Sequence, residues 1–507
     1  MARILLTATR SFYRPTNANF HYGLLALASY IKKNSGHHVE ILDGSIHTYG
    51  EYLGLLEQKA RSSDIVGFSM MTPQVGDTCR SMLHLRDKGL RPFIVVGGHH
   101  VTLYPGQTVQ SDLIDFAVAG DGEKSLLALC NALDSGGSTD NIANVLTRSN
   151  ATEMLKKPFE TLPYEELYDA DYGVIDPGIM KAMKKQFCYL TGRGCMFKCT
   201  FCYNSAIGNR WRGKTADVVL DEVGRLYEKY RFEKLYFRDE YFFADRDRVA
   251  RILSGLAVKN YPFTWITTCR ASDFRSKIDR EIIDLLIASK CEELRFGAES
   301  GSDRCLKFLK KGITVEDTLR AARVCAEIGI RGSFSFLSGY PTETSEDRIQ
   351  TVRLIGKIKK IDKRHIILGP FAYYIYPGGK LYEMIAGNSE WSMKFPESFE
   401  GWARSKYGNM FEQQSEPEKF AWLDEPDFVK YFWYIIFFRY IDDHFRGFGC
   451  VKSALLKLAL SPWLISTRIR WRLLRFGKLY DYRLYEWLDM RRRSVKKHLQ
   501  SLLKTFK

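Results

Sequence analysis

The chain has 507 residues, of which 45% are hydrophobic and 26% charged, and its formal net charge is +16. That length is ample for two or three domains, and this apolar content excludes a disordered chain. Eleven cysteines, an odd number, do not read as the disulfide framework of a small secreted domain and suit a reducing cytosol. The charge is uneven. Residues 447–507 hold 15 Lys/Arg against 3 Asp/Glu, a net of +12, which leaves +4 for the other 446 residues. The basic excess therefore belongs to a tail and points to a partner for that tail. The opening MARILLTATR is expected to form a buried strand, its apolar run being too short for a signal peptide. The longest apolar candidate, YFWYIIFF at 431–438, falls well short of the roughly 18 residues a spanning helix needs.

Residues 1–150 alternate strand-like and helix-like stretches. Strands are predicted at Arg3–Ala8, Val39–Leu42, Ile65–Met70, Phe93–Val96 and Ala117–Val118, with a helix at Gly23–Asn34. Such alternation implies βαβ units and a parallel sheet, whose ligands bind beyond the carboxyl ends of the strands. The loops there are Ser69-Met70-Met71-Thr72-Pro73, Gly97-Gly98-His99-His100 and Gly120-Asp121-Gly122-Glu123. Residues 151–186 are polar, hold Pro158, Pro163 and Pro177, and read as a connector.

From Phe187 the alternation resumes. Strands are predicted near Phe187–Leu190, Lys234–Phe237, Phe263–Thr268, Glu293–Gly297, Gly332–Leu337 and Ile366–Phe371. Helical stretches such as Thr215–Lys229, Asp247–Val258, Arg280–Ser289, Val315–Ile328 and Ser345–Ile361 lie between them. Six βα units over 187–380 predict a partial TIM-like barrel, with functional residues at the carboxyl ends of strands. The first strand leads into RGCMFKCTFCY, Arg193 to Tyr203, with Cys195, Cys199 and Cys202 spaced Cys-x3-Cys-x2-Cys. Three thiolates can hold a four-iron cluster and leave one iron open, whereas iron–sulfur clusters normally take four cysteines. The alternatives are three unrelated cysteines or a structural zinc knuckle. The knuckle usually pairs two short Cys/His hairpins, and no second hairpin follows. Cys188 falls inside an apolar strand and supplies no fourth ligand at regular spacing.

This loop resembles the signature of the radical SAM enzymes (S-adenosylmethionine, SAM), with Phe201 as the aromatic before the last cysteine. The resemblance implies a [4Fe–4S] cluster whose open iron chelates SAM, and an electron that cleaves the sulfonium to a 5′-deoxyadenosyl radical. It also implies a one-electron donor such as a flavodoxin or ferredoxin. The later strand ends resemble the family's SAM contacts. Asp239 or Glu240 would meet the methionine amino group, a choice the sequence leaves open. Arg270 would pair with the carboxylate and Glu299 would accept from the ribose. Gly339-Tyr340-Pro341 would lie near the adenine. In isolation each of these is also an ordinary helix cap or surface ion pair.

The N-terminal segments YGLLALASYIKK, VEILDG, IVGFSMMTP, IVVGGHHVTLYP and VAGDGEKSL resemble, in that order, the cobalamin-binding domain that precedes many radical SAM cores. By that resemblance Ser69, Met71, Thr72, Gly97, Gly98, His99, Gly120, Gly122 and Glu123 would face cobalamin. The alternative is a degenerate Rossmann-like domain that only packs against the core. One departure matters: TATRSFYRPTNANFHYG lacks Asp-x-His-x-x-Gly, so a histidine lower ligand to cobalt is not expected. His99 and His100 would line the nucleotide tail or simply form their loop, and Met70–Gln74 would face the lower side of the corrin.

The fold expected is therefore α/β throughout: a Rossmann-like cobalamin-binding domain (1–150), a connector (151–186), a partial TIM-like (β/α)6 radical SAM barrel (187–380), and a helical, basic C-terminal region (381–507). Residues 381–430 have no clear period, and Trp391, Trp402 and Phe411 could line an apolar pocket or serve as core. Helices are predicted at Asp427–Phe445, Val451–Leu460, Ser466–Phe476 and Tyr485–Phe506. The tail has two readings, a basic amphipathic anchor on a membrane surface or a packed subdomain with a solvated basic face. It has no recognised nucleic-acid reader motif, and no nucleic acid is expected. The functional expectation is a cytoplasmic enzyme, peripheral on the membrane if the tail is an anchor. It would methylate an unactivated carbon of a hydrophobic small molecule, using cobalamin and SAM. The alternatives are an oxidative cyclase acting on a tetrapyrrole, like anaerobic magnesium-protoporphyrin monomethyl ester cyclase, and a non-catalytic, membrane-docked cobalamin or redox sensor.

Overall fold

A computed structural model describes residues 1–9, 20–163, 166, 170–183, 185–207, 210–391, 393–409, 422, 428–441, 454, 457–458, 460–473 and 482–484. The chain forms two compact units. The first comprises Met1–Leu294, Leu309–Gly312 and Ile375–Glu416; the second comprises Arg295–Phe308, Ile313–Tyr374 and Pro417–Lys507.

The first unit opens with a sheet of β1 (Arg3–Ala8), β2 (His38–Asp43), β3 (Ile65–Ser69), β4 (Phe93–Gly97), β5 (Phe116–Val118) and β6 (Val145–Leu146). Their order is β2-β1-β3-β4-β5-β6. β1 lies parallel between β2 and β3, with Leu6 opposite Ile41 and Gly67. A central parallel strand is covered on both faces, which is why Ile4, Leu5, Leu6 and Ala8 are apolar and buried, and why the buried Thr7 hydroxyl donates to the Leu42 carbonyl. β6 pairs antiparallel with β5. Two residues are too few to show a strand period, and this edge strand was not predicted.

Among the described residues, the longer helices that flank the sheet are α1 (Tyr22–Asn34), α2 (Tyr49–Ala60), α3 (Val75–Asp87) and α4 (Glu123–Ser135). α1 buries Leu24, Ala28 and Ile31, one helical face, into the core that also holds Leu6, Val95 and Val118. α2 starts on a Thr48/Glu51 capping box. The strand order reverses between β1 and β3, and in open sheets ligands bind in the crevice beyond the carboxyl ends at such a switch point.

The connector is more ordered than expected. It contains a short helix, Pro177–Ala182, and buries Leu162, Tyr172, Ile175 and Ile179. The Tyr172 hydroxyl donates to the Cys188 carbonyl. Beyond it β7 (Gln186–Tyr189), β10 (Lys234–Phe237) and β11 (Thr264–Cys269) run parallel in the order β7-β10-β11. α5 (Ala216–Tyr230), α6 (Arg246–Lys259) and α7 (Arg280–Ala288) alternate with them. Between β7 and α5, two-residue strands β8 (Gly192–Arg193) and β9 (Arg212–Gly213) pair antiparallel and pinch the cysteine loop at its base.

β12 (Cys291–Glu299) begins in the first unit and ends in the second. It is longer at both ends than Glu293–Gly297, so Glu299 is its last residue rather than part of the following loop. The second unit continues with β13 (Arg331–Ser338), parallel to β14 (Ile366–Ala372). α8 (Val315–Glu327) and α9 (Ser345–Ile361) both start on capping boxes, Thr314/Asp317 and Thr344/Asp347.

Back in the first unit, α10 (Phe399–Arg404) packs on α3. Its Trp402 is fully buried and donates to Gln107 Oε1 at 3.0 Å. Trp402 is therefore core rather than the wall of an apolar pocket. Trp391 is half-buried at the end of a short 3-10 turn, and Phe411 lies outside the described residues. In the second unit α11 (Phe428–Arg439) packs on α12 (Ser461–Leu473). Most of the predicted Val451–Leu460 helix and all of Tyr485–Phe506 lie outside the described residues. Among the described residues, no helix is long and apolar enough to cross a membrane.

Candidate functional site

The cysteine loop leaves β8 through Gly194, whose φ of +85° is glycine territory. Its back is pinned by main-chain bonds: Thr200 N donates to Leu309 O at 3.0 Å and Leu381 N donates to Thr200 O at 3.1 Å. The Ser205 hydroxyl donates to the carbonyls of Cys199 (3.0 Å) and Cys202 (2.6 Å). Cys199 is buried, and Cys195 and Cys202 are half-buried. Arg270 closes one side. Its Nη1 lies 3.8 Å from Cys199 Sγ, and its guanidinium sits 3.5 Å from the Phe197 ring centroid and donates to the Lys311 carbonyl. Lys311 Nζ lies 5.7 Å from the Phe201 ring.

Burial raises the Cys195 thiol, against which Arg270 pulls, and pushes Cys202 up to about 11, against Lys311. These two thiols therefore hold their protons in the free loop, and a metal must displace them to bind. Among the described residues, no three His, Cys, Asp or Glu converge on one point as a single ion would require. A cluster fits better than zinc, because each thiolate then binds a different iron. Cys188, fully buried in β7, adds no ligand.

Asp239 and Glu240 follow β10 but do different work. Asp239 is 2% exposed and accepts from Thr191 N at 2.7 Å and from the Thr191 hydroxyl. Burial pushes its carboxyl up to about 6, although Thr191 and Arg248 favour the charged form. It is a strut that fixes the turn leading into the cysteine loop. Arg248 supports the same turn, donating to Thr191 O at 2.8 Å and to the Lys214 carbonyl. Glu240 instead accepts from Gly194 N at 3.1 Å and reaches into a cavity.

That cavity, about 850 Å³, lies wholly in the first unit at the β1/β3 switch point. One wall comes from the N-terminal sheet: Ser69 to Met71, Gly97 to His99, and Gly120 to Glu123. Gly98 has φ +95° and ψ −168°, and a Cβ there would stand 2.8 Å from Met70 O. The opposite wall comes from the barrel side: Arg193, Tyr203, Arg212, Arg238 and Glu240. Such a wide space, bordered by glycines at the strand ends, fits a macrocycle such as a corrin.

The walls are tied together. Arg193 pairs with Glu123 and lies 3.6 Å from Asp121, and Arg212 Nη1 donates to Asp121 Oδ2 at 2.6 Å. Burial would raise the Asp121 carboxyl, but Arg212 and Arg193 hold it below the usual range. The His99 and Tyr203 rings stand 4.1 Å apart, so the Gly-Gly-His-His loop touches the residue that follows Cys202.

The remaining predicted residues fall elsewhere. Thr72 is buried and does not reach the cavity wall; its hydroxyl lies 3.1 Å from Nδ1 of His100, which is itself fully buried. Glu299, Gly339 and Pro341 belong to the second unit. Glu299 has φ +60°. Gly339 has φ +88°, donates its N–H to Glu343 Oε2 at 2.7 Å and accepts from Trp422 Nε1 at 3.1 Å. Pro341 is buried beside them.

Sequence reasoning gave no role to Tyr22, Arg193, Tyr203, Arg212 or Arg238, all on the cavity wall. Arg193 and Tyr203 flank the cysteines and could have been singled out for that. Arg212 gives no local signal, because its partner Asp121 is 91 residues away.

A B12-binding domain matches residues 18–130 and a radical SAM superfamily domain matches residues 189–355. The chain is a cobalamin-dependent radical SAM enzyme, and its cofactors are a [4Fe–4S] cluster, SAM and cobalamin. Among known proteins it is similar to an uncharacterized methyltransferase of Pyrococcus horikoshii, 28% identical over 373 residues, 72% of this chain and 78% of that protein. It is 23% identical over 337 residues to the anaerobic magnesium-protoporphyrin IX monomethyl ester cyclase of Rubrivivax gelatinosus, 65% of this chain and 60% of the cyclase. The fold is similar to that of OxsB, a cobalamin-dependent S-adenosylmethionine radical enzyme solved with aqua-cobalamin and S-adenosylmethionine bound. The TM-score is 0.67 at 15% identity, over 97% of this chain and 75% of that one.

Proposed function

We propose that this chain methylates an unactivated carbon of a hydrophobic small molecule. One observation carries the reading: the loops assigned to the two cofactors border one cavity and are ion-paired across it through Arg193 and Glu123. When bound, the cluster supplies the electron that cleaves SAM and cobalamin supplies a transferable methyl group. The chain's own residues hold these groups in register. Cys195, Cys199 and Cys202 bind iron, and Asp239 with Arg248 fixes the turn that carries them. Arg270 places a cation beside Cys199. The glycines at 97–98 and 120–122 let main chain approach the corrin. The hydrophobic substrate class is suggested by the apolar and basic tail.

A second reading, ring closure without methyl transfer, is favoured by the similarity to the cyclase. Anaerobic protein reconstituted with iron, sulfide and cobalamin, and supplied with methyl-labelled SAM, tests both. Methyl transfer requires deoxyadenosine and labelled product, both abolished by Cys199→Ala. Deoxyadenosine with unlabelled product would favour the cyclase reading, and intact SAM throughout would sink both.

A further inference from the structure

We propose that the outward face of α12 docks this chain on a lipid bilayer with anionic headgroups. The inference stands on the second unit alone and does not rest on the methyl-transfer reading.

α12 has two unlike faces. Trp463, Thr467 and Trp471, spaced i, i+4, i+8, point inward. Thr467 is fully buried, Trp463 lies 6.5 Å from the Phe438 ring, and Trp471 lies 5.5 Å from the Tyr440 ring. The other face needs a different explanation. Ile465 and Ile469, again i and i+4, are 56% and 55% exposed, and Leu458 just before the helix is 72% exposed. Arg468 and Arg472, on the same side, are exposed too. A helix that only packed on α11 would gain nothing from isoleucines in water, and a solvated basic face would not intersperse them with arginines.

Charge indicates the occupant. Residues 447–480 contain seven Lys/Arg and no Asp or Glu. Aliphatic side chains beside arginines on one helix face suit the headgroup boundary of a membrane. There isoleucines enter the acyl region while guanidinium groups stay with phosphates. At 13 residues the helix is about 20 Å long, enough to lie in that plane and too short to span it. Nucleic acid would use the arginines but leave the isoleucines exposed.

The test is co-sedimentation of full-length protein with phosphatidylcholine vesicles, with and without phosphatidylglycerol, at low and high salt. Binding is expected only with the anionic lipid and should weaken as salt rises. Arg468→Gln with Arg472→Gln should weaken it roughly 20-fold or more, at about 1 kcal/mol per arginine. Ile465→Ser with Ile469→Ser keeps every charge and is expected to weaken it at least as much. Because these side chains point outward, the variants should keep the wild-type circular dichroism spectrum and melting temperature. Binding that is equal for wild type and both double variants would overturn the proposal. So would binding that the serine variant leaves untouched, which would make the tail a purely electrostatic surface for nucleic acid or an acidic protein.

Discussion

The two walls of the cavity are built by opposite means. The N-terminal sheet contributes main chain at Gly97, Gly98, Gly120 and Gly122 of its strand ends, beside Met71 and His99. The barrel side contributes fixed charge, Arg193, Arg212, Arg238 and Glu240, and two of its arginines grip Asp121 and Glu123 of the facing wall. A parallel sheet can let a large flat ligand approach its edge only where side chains are absent. A loop that must hold an oxygen-sensitive cluster at a set distance from that ligand needs contacts that do not slide, and enclosed ion pairs supply them.

Breaking the charged wall should have the largest effect. Arg193→Gln would leave Glu123, whose side chain is 5% exposed, without its cation. Removing one partner of a buried pair costs about 3–5 kcal/mol, to be read from urea unfolding of the wild type and the variant. Adding Glu123→Gln removes the stranded charge and should restore part of the loss, so the double variant would be more stable than the single one. The single variant should also weaken cobalamin binding measured by absorption titration. A cost under about 1 kcal/mol would mean that water screens the pair and that it does not clamp the walls.

Breaking the glycine wall should cost less. Gly98 occupies a region of φ and ψ that is essentially closed to other residues, and a Cβ would stand 2.8 Å from Met70 O and 2.9 Å from Met70 N. Gly98→Ala is expected to cost about 1–3 kcal/mol, and cobalamin affinity should fall as the Met70 main chain moves. Gly54→Ala in α2, where a Cβ meets nothing within 4 Å, should instead stabilise by about 0.5–1 kcal/mol. Equal effects at both positions would remove the distinction between a glycine that shapes the wall and one that merely tolerates a helix.

What the sequence made legible follows the range of the interactions. β1 was readable because a central strand covered on both faces is almost wholly apolar, and β10 because Leu235 and Phe237 are buried in alternation with half-buried Lys234 and Tyr236. The cluster cysteines were readable because their chemistry is written within eight residues. The ribbon of β8 and β9 and the edge strand β6 were not, since two residues carry no period. The clamp was invisible for another reason: Arg193 and Glu123 are 70 residues apart, and nothing local in either predicts the other. The loop Ser69–Pro73 follows β3, but its sequence does not show which neighbouring side chains reach the cavity: Ser69 to Met71 line it, while the Thr72 hydroxyl turns back toward His100. Asp239 and Glu240 could not be separated for the same reason, as adjacent residues at a strand end point opposite ways.

That last pair offers the finest test. Asp239 has a folded-state pKa of about 6, above the usual 3.8. The folded protein therefore holds this proton more tightly than the unfolded chain does. Its contribution to stability is full below the ordinary aspartate range and is lost as pH rises through about 6. Asp347 behaves oppositely: burial is outweighed by Arg304 and the hydroxyls of Ser302 and Thr344, which hold it low, so its contribution is lost in acid. Total stability against pH mixes the two, and Asp239→Asn separates them. Asparagine keeps an acceptor for the Thr191 amide and offers its own amide to the Thr191 hydroxyl. Relative to that variant, the wild type should lose about 1 kcal/mol per pH unit between about pH 4.5 and 5.5. Urea unfolding at half-unit pH steps would show the two curves converging as pH falls. Parallel curves would mean that Asp239 is ionised throughout, which would make it an anion available to a bound ammonium rather than a strut under the cluster loop.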